Sequence, residues 1–165
     1  MRNIVYISIW MILLSLTACN QKAESTKEAR PITVEKSAAT LKELVQKHKG
    51  KVLYIDIWAS WCGPCMSEMK PAKSLKEHFA IQQPIEFIYI NLDKKEARWK
   101  NAIQAKSITG THIFASRALE NDLEKNYGAK SIPRYIIFNK NGELINNDAP
   151  RPSDFGITEI LEDML

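Results

Sequence analysis

The sequence predicts an α/β fold, a central mixed β-sheet flanked by helices on both faces. Three observations predict it. Val52–Trp58 and Ile85–Asn91 are apolar at alternate and intervening positions alike, the pattern of strands buried on both sides. Stretches of helical periodicity lie between and after them, the alternation that builds a covered sheet. Near the C-terminus, Asn141-Gly142 separates two apolar runs, the strongest short-range signal for an antiparallel hairpin.

The length of 165 residues predicts one folded domain, and the composition is that of an ordinary globular chain. Three cysteines are too few for a disulfide scaffold. The net charge of +4 is mild and dispersed, and long basic or aromatic-interleaved stretches are absent, so nucleic acid is not expected as a partner.

Along the chain, Arg2 precedes Ile4–Leu16, an apolar run broken only by Ser8 and Ser15. It is short for a membrane span and suits a secretory leader. Asn20–Lys36 is polar and aperiodic and reads as a flexible tether, with Ile32-Thr33-Val34 as a possible edge strand. Thr40-Leu41-Lys42-Glu43 has capping-box spacing, and Leu41, Leu44, Val45 and His48 share a helical face that Gly50 closes. His48 is expected at the helix end and not as a ligand.

After the strand Val52–Trp58, a helix is expected from Gly63 to about Phe79, kinked at Pro71. Pro84 leads into the strand Ile85–Asn91. Asp93–Lys106 has helical composition, with Ala97, Trp99, Ala102 and Ile103 as its apolar stripe, and Thr111–Ala115 fits a short strand. Trp99 and His112 are expected to be packing and loop residues. Arg117–Tyr127 is a helix closed by Gly128. The hairpin strands are expected at Tyr135–Asn139 and Glu143–Ile145, and Ser153 can cap a final helix reaching Leu165.

The chemistry concentrates in Cys62-Gly63-Pro64-Cys65. Two cysteines three apart at a helix start lie on one face, within reach of disulfide geometry. The positive end of the helix dipole stabilises a thiolate there and lowers its pKa. Cys62 is therefore the expected attacking thiolate and Cys65 the resolving thiol. A purely structural disulfide is a poor alternative, because so short a loop constrains the unfolded chain little. No second cysteine pair or Cys/His pair completes a zinc site, and Met66 occupies the place where haem attachment needs histidine. Neither metal nor other cofactor is expected beyond the redox-active pair itself. Asp56 falls in the middle of an apolar strand, where burial should raise its pKa. Gly63 and Pro64 tune how well each thiolate is stabilised. Trp58 is expected in the core and Trp61 at the surface over the cysteines.

Trp61-Cys62-Gly63-Pro64-Cys65, with Asp56 and Trp58-Ala59 upstream, resembles the active-site segment of the thioredoxin superfamily. The resemblance covers roughly Ile32 to Leu165. The 93–116 segment resembles the insertion that the exported TlpA/ResA-type branch carries between its central strand and its next helix, one that thioredoxin lacks. The resemblance implies a thioredoxin-like fold and a thiol-disulfide oxidoreductase. In this family an acid at the place of Asp56 accepts the resolving cysteine's proton through a water, although TlpA/ResA-type proteins often carry a neutral residue there. Glu68 matches a glutamate that tunes the thiols in ResA-like relatives; the plainer alternative is a solvated helix face. Pro133 matches the superfamily's cis-proline, which would place the Ile132 backbone to pair with a bound substrate beside Cys62. Substrate contact is thus implied for Trp61, Gly63, Pro64, Ile132 and Pro133. Arg134 either favours acidic substrates or is merely solvated.

Leu16-Thr17-Ala18-Cys19 resembles a bacterial lipobox, which implies cleavage before Cys19 and lipidation of its sulfur. The expected organisation is a leader over 1–18, a lipidated Cys19 and tether over 19–36, and a thioredoxin-like domain over 37–165. The expected protein is a monomer in the cell envelope, lipid-anchored and facing the periplasm. It would reduce disulfides in exported proteins and be recharged by a membrane electron donor. The alternatives left open are an oxidant or isomerase using the same site, or a non-catalytic binding module.

Overall fold

The computed structural model describes residues 32–80 and 85–165. The expected leader, Cys19 and most of the expected tether lie outside them. The described elements run β1 (Ile32–Glu35), α1 (Leu41–Lys47), β2 (Val52–Trp58), α2 (Gly63–His78), β3 (Ile85–Asn91), α3 (Glu96–Lys106), β4 (Gly110–Phe114), α4 (Arg117–Tyr127), β5 (Arg134–Phe138), β6 (Leu144–Asn146) and α5 (Ile157–Glu162).

Among the described residues the strands form one mixed sheet in the order β1-β4-β3-β2-β5-β6. The pairs β1–β4, β4–β3 and β3–β2 are parallel, whereas β5 and β6 join antiparallel. β2 is hydrogen-bonded on both sides and wholly buried, as its apolar sequence requires. Its side chains alternate between two core layers. Leu53, Ile55 and Ile57 pack with α1 and α4; Val52, Tyr54 and Trp58 pack with α2, α3 and α5. Asp56 has the parity of Tyr54 and Trp58 and so faces the α2 layer.

Local signals set most boundaries. Thr40 caps α1 by accepting the Glu43 N–H at 3.2 Å, and Ser116 caps α4 through the Leu119 N–H at 3.2 Å. Gly128, at φ 67°, closes α4 in the left-handed conformation that glycine adopts most readily. The hairpin strands sit one residue away from their expected bounds. His48 is the C-cap residue of α1. Trp99 is buried against Phe114, their ring centroids 5.4 Å apart. α2 continues through Pro71, which has no N–H for the Ser67 carbonyl.

The possible edge strand at Ile32-Thr33-Val34 is β1, whose backbone pairs with β4, so the sheet begins inside the segment read as tether. The 93–116 segment supplies the expected helix and short strand as α3 and β4, and β4 lies between β1 and β3. Two expectations change. His112 belongs to no loop: it is a fully buried residue of β4. Finally, α5 begins at Ile157 with Gly156 as its N-cap, and Ser153 is engaged elsewhere.

Candidate active site

β2 delivers the chain to the site and α2 carries it away. Between them, the Ser60 N–H and hydroxyl both donate to the buried Asp93 carboxylate, at 3.0 and 2.9 Å. Asp93 also accepts from the Asn91 side-chain amide at 3.0 Å, so the end of β3 anchors the loop. The Cys62 N–H closes that loop onto the Ala59 carbonyl at 3.1 Å.

Cys62 is the N-cap of α2, with extended backbone and Pro64 in the first turn. Its Sγ accepts the Cys65 N–H at 3.2 Å. The two cysteines are joined as a disulfide, their Cα atoms 5.3 Å apart. Cys65 is fully buried, whereas Cys62 is 5% exposed and lies next to Trp61, at 64%. Any attack from solvent must therefore reach the pair on the Cys62 side.

The start of β5 lies beside the end of β2, where Arg134 is the register partner of Ile57. The Ile132–Pro133 bond is cis, and Ile132 packs partly buried between both core layers. The antiparallel run from Pro133 thus begins at the edge from which the chain continues to Cys62. Arg134 is partly exposed but not free. It pairs with Asp148 at 2.8 Å and donates to the Gly128 and Asn147 carbonyls.

On the α2 side of the sheet, Asp56 is 3% exposed and neither carboxylate oxygen has a hydrogen-bond partner among the described residues. Burial pushes its pKa up to about 8; the Glu68 carboxylate adds to the rise and the Lys76 ammonium opposes it. Tyr54 and Tyr135 stack with centroids 5.4 Å apart, and burial first, then neighbouring charge, keeps the hydroxyls of Tyr54, Tyr89 and Tyr135 protonated.

Glu68 does not lie on a solvated face. It is buried and accepts from the Ser153 N–H at 3.0 Å and the Ser153 hydroxyl at 2.8 Å. This also explains why Ser153 does not cap the last helix: its hydroxyl and N–H are committed to α2.

Lys76 was not legible as a site residue, although a signal existed. Cys65, Glu68, Ala72 and Lys76 are spaced by three, four and four residues, which puts a lysine on the buried stripe of α2. The Asp93 clamp on Ser60 carries no comparable local signal.

The profile of a family described as thioredoxin-like matches residues 50–144. The thiol-disulfide oxidoreductase ResA of Bacillus thuringiensis subsp. konkukian is 25% identical over 125 residues, which span 76% of this chain and 69% of that protein. A candidate thiol-disulfide oxidoreductase of Bacteroides vulgatus, solved in solution, is 30% identical with a TM-score of 0.63, covering 72% of this chain and 76% of its own. A crystal structure from the same organism is 29% identical at a TM-score of 0.63, covering 72% of this chain and 82% of that one.

Proposed function

The chain belongs to the thioredoxin-like family and is a thiol-disulfide oxidoreductase, and we propose that it reduces disulfides in exported proteins through the Cys62/Cys65 dithiol. The observation that carries the proposal is the asymmetry of the pair. Cys62, at a helix N-terminus, keeps the slight exposure of the pair, 5%, whereas Cys65 is fully buried in the core layer that Asp56 faces.

In the reduced enzyme, the Cys62 thiolate attacks one sulfur of a substrate disulfide. A mixed disulfide forms and the first substrate thiolate leaves. The Cys65 thiol then gives its proton through a water to the Asp56 carboxylate and attacks the Cys62 sulfur. This releases the second substrate thiolate and leaves the Cys62–Cys65 disulfide seen here. The substrate gains two electrons and the enzyme loses two. An acceptor near pKa 8 suits this step, because a free thiol titrates at about 8.5 and transfer works best between matched groups.

Trp61, Gly63, Pro64, Ile132 and Pro133 are assigned to substrate contact, with the Ile132 backbone pairing the substrate chain alongside Cys62. Glu68 is assigned to tuning the thiols from below. The reductive direction is supported by Gly63-Pro64 between the cysteines, which resembles the reducing members. The apolar run before Leu16-Thr17-Ala18-Cys19 supports export, lipidation at Cys19 and a periplasm-facing monomer recharged by a membrane donor. In this assignment 1–18 is leader, and the tether from Cys19 ends at β1 and not at Lys36.

The test is the reduction potential of the full chain in defined thiol buffers, with insulin reduction as the activity. A potential near that of thioredoxin, about −270 mV, supports a reductant. A potential nearer about −120 mV makes the protein a disulfide donor and overturns the direction. Cys62→Ser should abolish turnover, whereas Cys65→Ser should accumulate the mixed disulfide.

A further inference from the structure

A row of register partners crosses the sheet beneath α2. Tyr135 of β5 faces Asp56 of β2, Asp56 faces Tyr89 of β3, and Tyr89 faces His112 of β4. The Tyr89 and His112 rings stack with centroids 5.0 Å apart. Lys76 reaches this row from α2. It is buried, its Nζ 5.0 Å from the Tyr89 ring centroid, and it donates to the Thr109 carbonyl at 2.6 Å and the Thr109 hydroxyl at 3.1 Å. Thr109 lies between α3 and β4, within the 93–116 segment.

We propose that Lys76 is a positioning residue that supplies the counter-charge for Asp56, and that the 93–116 segment serves the reaction by holding this ammonium in place through Thr109. The proposal rests on Asp56 being the proton acceptor of the exchange.

A buried ammonium is costly unless it is hydrogen-bonded and has charge to compensate. Two hydrogen bonds to Thr109 and the face of Tyr89 meet the first need. The groups facing Asp56 determine the second. From α2 come Glu68 and Lys76; from the strands come Tyr54, Tyr89 and Tyr135, with His112 beyond Tyr89 and Arg151 facing Tyr135. The tyrosines stay protonated. His112 stays neutral, its pKa depressed to about 4 by burial first, with Lys76 adding to the depression. Glu68 works against ionisation of Asp56, and Lys76 is the cation that favours it. Without Lys76, burial and Glu68 would push the Asp56 pKa further up and shrink the ionised fraction able to take the Cys65 proton. The ammonium needs a fixed position to do this, and Thr109 fixes it from outside α2.

The experiment is a carboxyl-carbon NMR titration of Asp56 in the full chain, oxidised, in the parent and in Lys76→Met, Lys76→Arg and Thr109→Val. In K76M the Asp56 midpoint should rise by about one unit, a tenfold tightening of proton binding. K76R should return it toward the parent, and T109V should move it less, in the K76M direction. A folded K76M whose Asp56 midpoint matches the parent overturns the proposal, and so does a K76R that behaves like K76M. Should K76M not fold, the parent still decides. Its Lys76 Nζ nitrogen shift must titrate at the Asp56 midpoint and lose that transition in Asp56→Asn; a flat profile overturns the coupling. Insulin reduction by D56N is scored separately. Unchanged kinetics there sink the acceptor role, whereas the titrations judge Lys76.

Discussion

Glu68 and Ser153 are 85 positions apart in the chain, yet the Glu68 carboxylate receives both the backbone N–H and the hydroxyl of Ser153, at 3.0 and 2.8 Å. One carboxylate on the helix of the cysteines thus holds the segment that leads into the last helix. It also faces Asp56, so the same side chain has a structural and an electrostatic effect. Ser153→Ala removes one charge-assisted bond to a buried acceptor and should destabilise the fold by about 1–2 kcal/mol in urea unfolding. Glu68→Gln keeps the shape but removes a like charge from Asp56. The Asp56 midpoint should fall below about 8, measured by carboxyl NMR titration. An unchanged midpoint would mean that the two carboxylates do not sense each other.

Asp56 has a sign-specific effect on stability. Its native pKa, about 8, is above the ordinary value of 3.8, so between these values the native chain binds more protons than the unfolded one. This contribution is full below pH 3.8 and is lost as pH rises through 8. Asp56→Asn should therefore raise Tm by roughly 5 °C or more at pH 9. The gain should shrink as the pH approaches 4. A gain of equal size at both pH values would contradict the burial argument.

His112 works in the opposite direction. Burial holds its pKa at about 4, below the ordinary 6.5, and its Nε2–H donates to the Ile108 carbonyl at 2.8 Å. Its contribution is present above pH 6.5 and is lost as pH falls toward 4, with a slope of up to about 1.4 kcal/mol per pH unit. Equilibrium unfolding measured across that window should show a flatter acid limb in His112→Gln. That variant will also start from a lower plateau, because it disturbs the stack on Tyr89.

Trp61 separates binding from folding. It is largely exposed and follows a loop held by Ser60 and Asp93, so Trp61→Ala should change unfolding free energy by less than about 0.5 kcal/mol. Its assigned place is against the substrate, so KM for insulin should rise several-fold. A stability loss without a KM change would make it a packing residue.

The parts legible in the sequence were those whose causes are local. Thr40 followed by Glu43, Gly128 after Tyr127 and Asn141-Gly142 between apolar runs each mark a boundary through hydrogen bonds or backbone conformations spanning a few residues. The same is true of the cysteine pair, since three residues at a helix start suffice to bring the two sulfurs together. The failures have distant partners. Ser153 looked like a helix cap because its neighbours allow one, and only Glu68 takes it away. Ile32-Thr33-Val34 reads as no more than a possible edge strand within the tether, and the β4 backbone beside it is what commits it to the sheet.

By itself the sequence determined the layered fold, the strand–loop–helix that presents Cys62 and Cys65, and the burial of Asp56, because apolar periodicity and helix-terminus chemistry act over one or two turns. Only the tertiary structure decided what surrounds Asp56. Glu68 turned inward to Ser153, Lys76 fixed by Thr109, and the row from Tyr135 to His112 depend on strand order and register. The row follows from β4 lying between β1 and β3 and β5 pairing with β2, and no local pattern in the chain encodes which strands become neighbours.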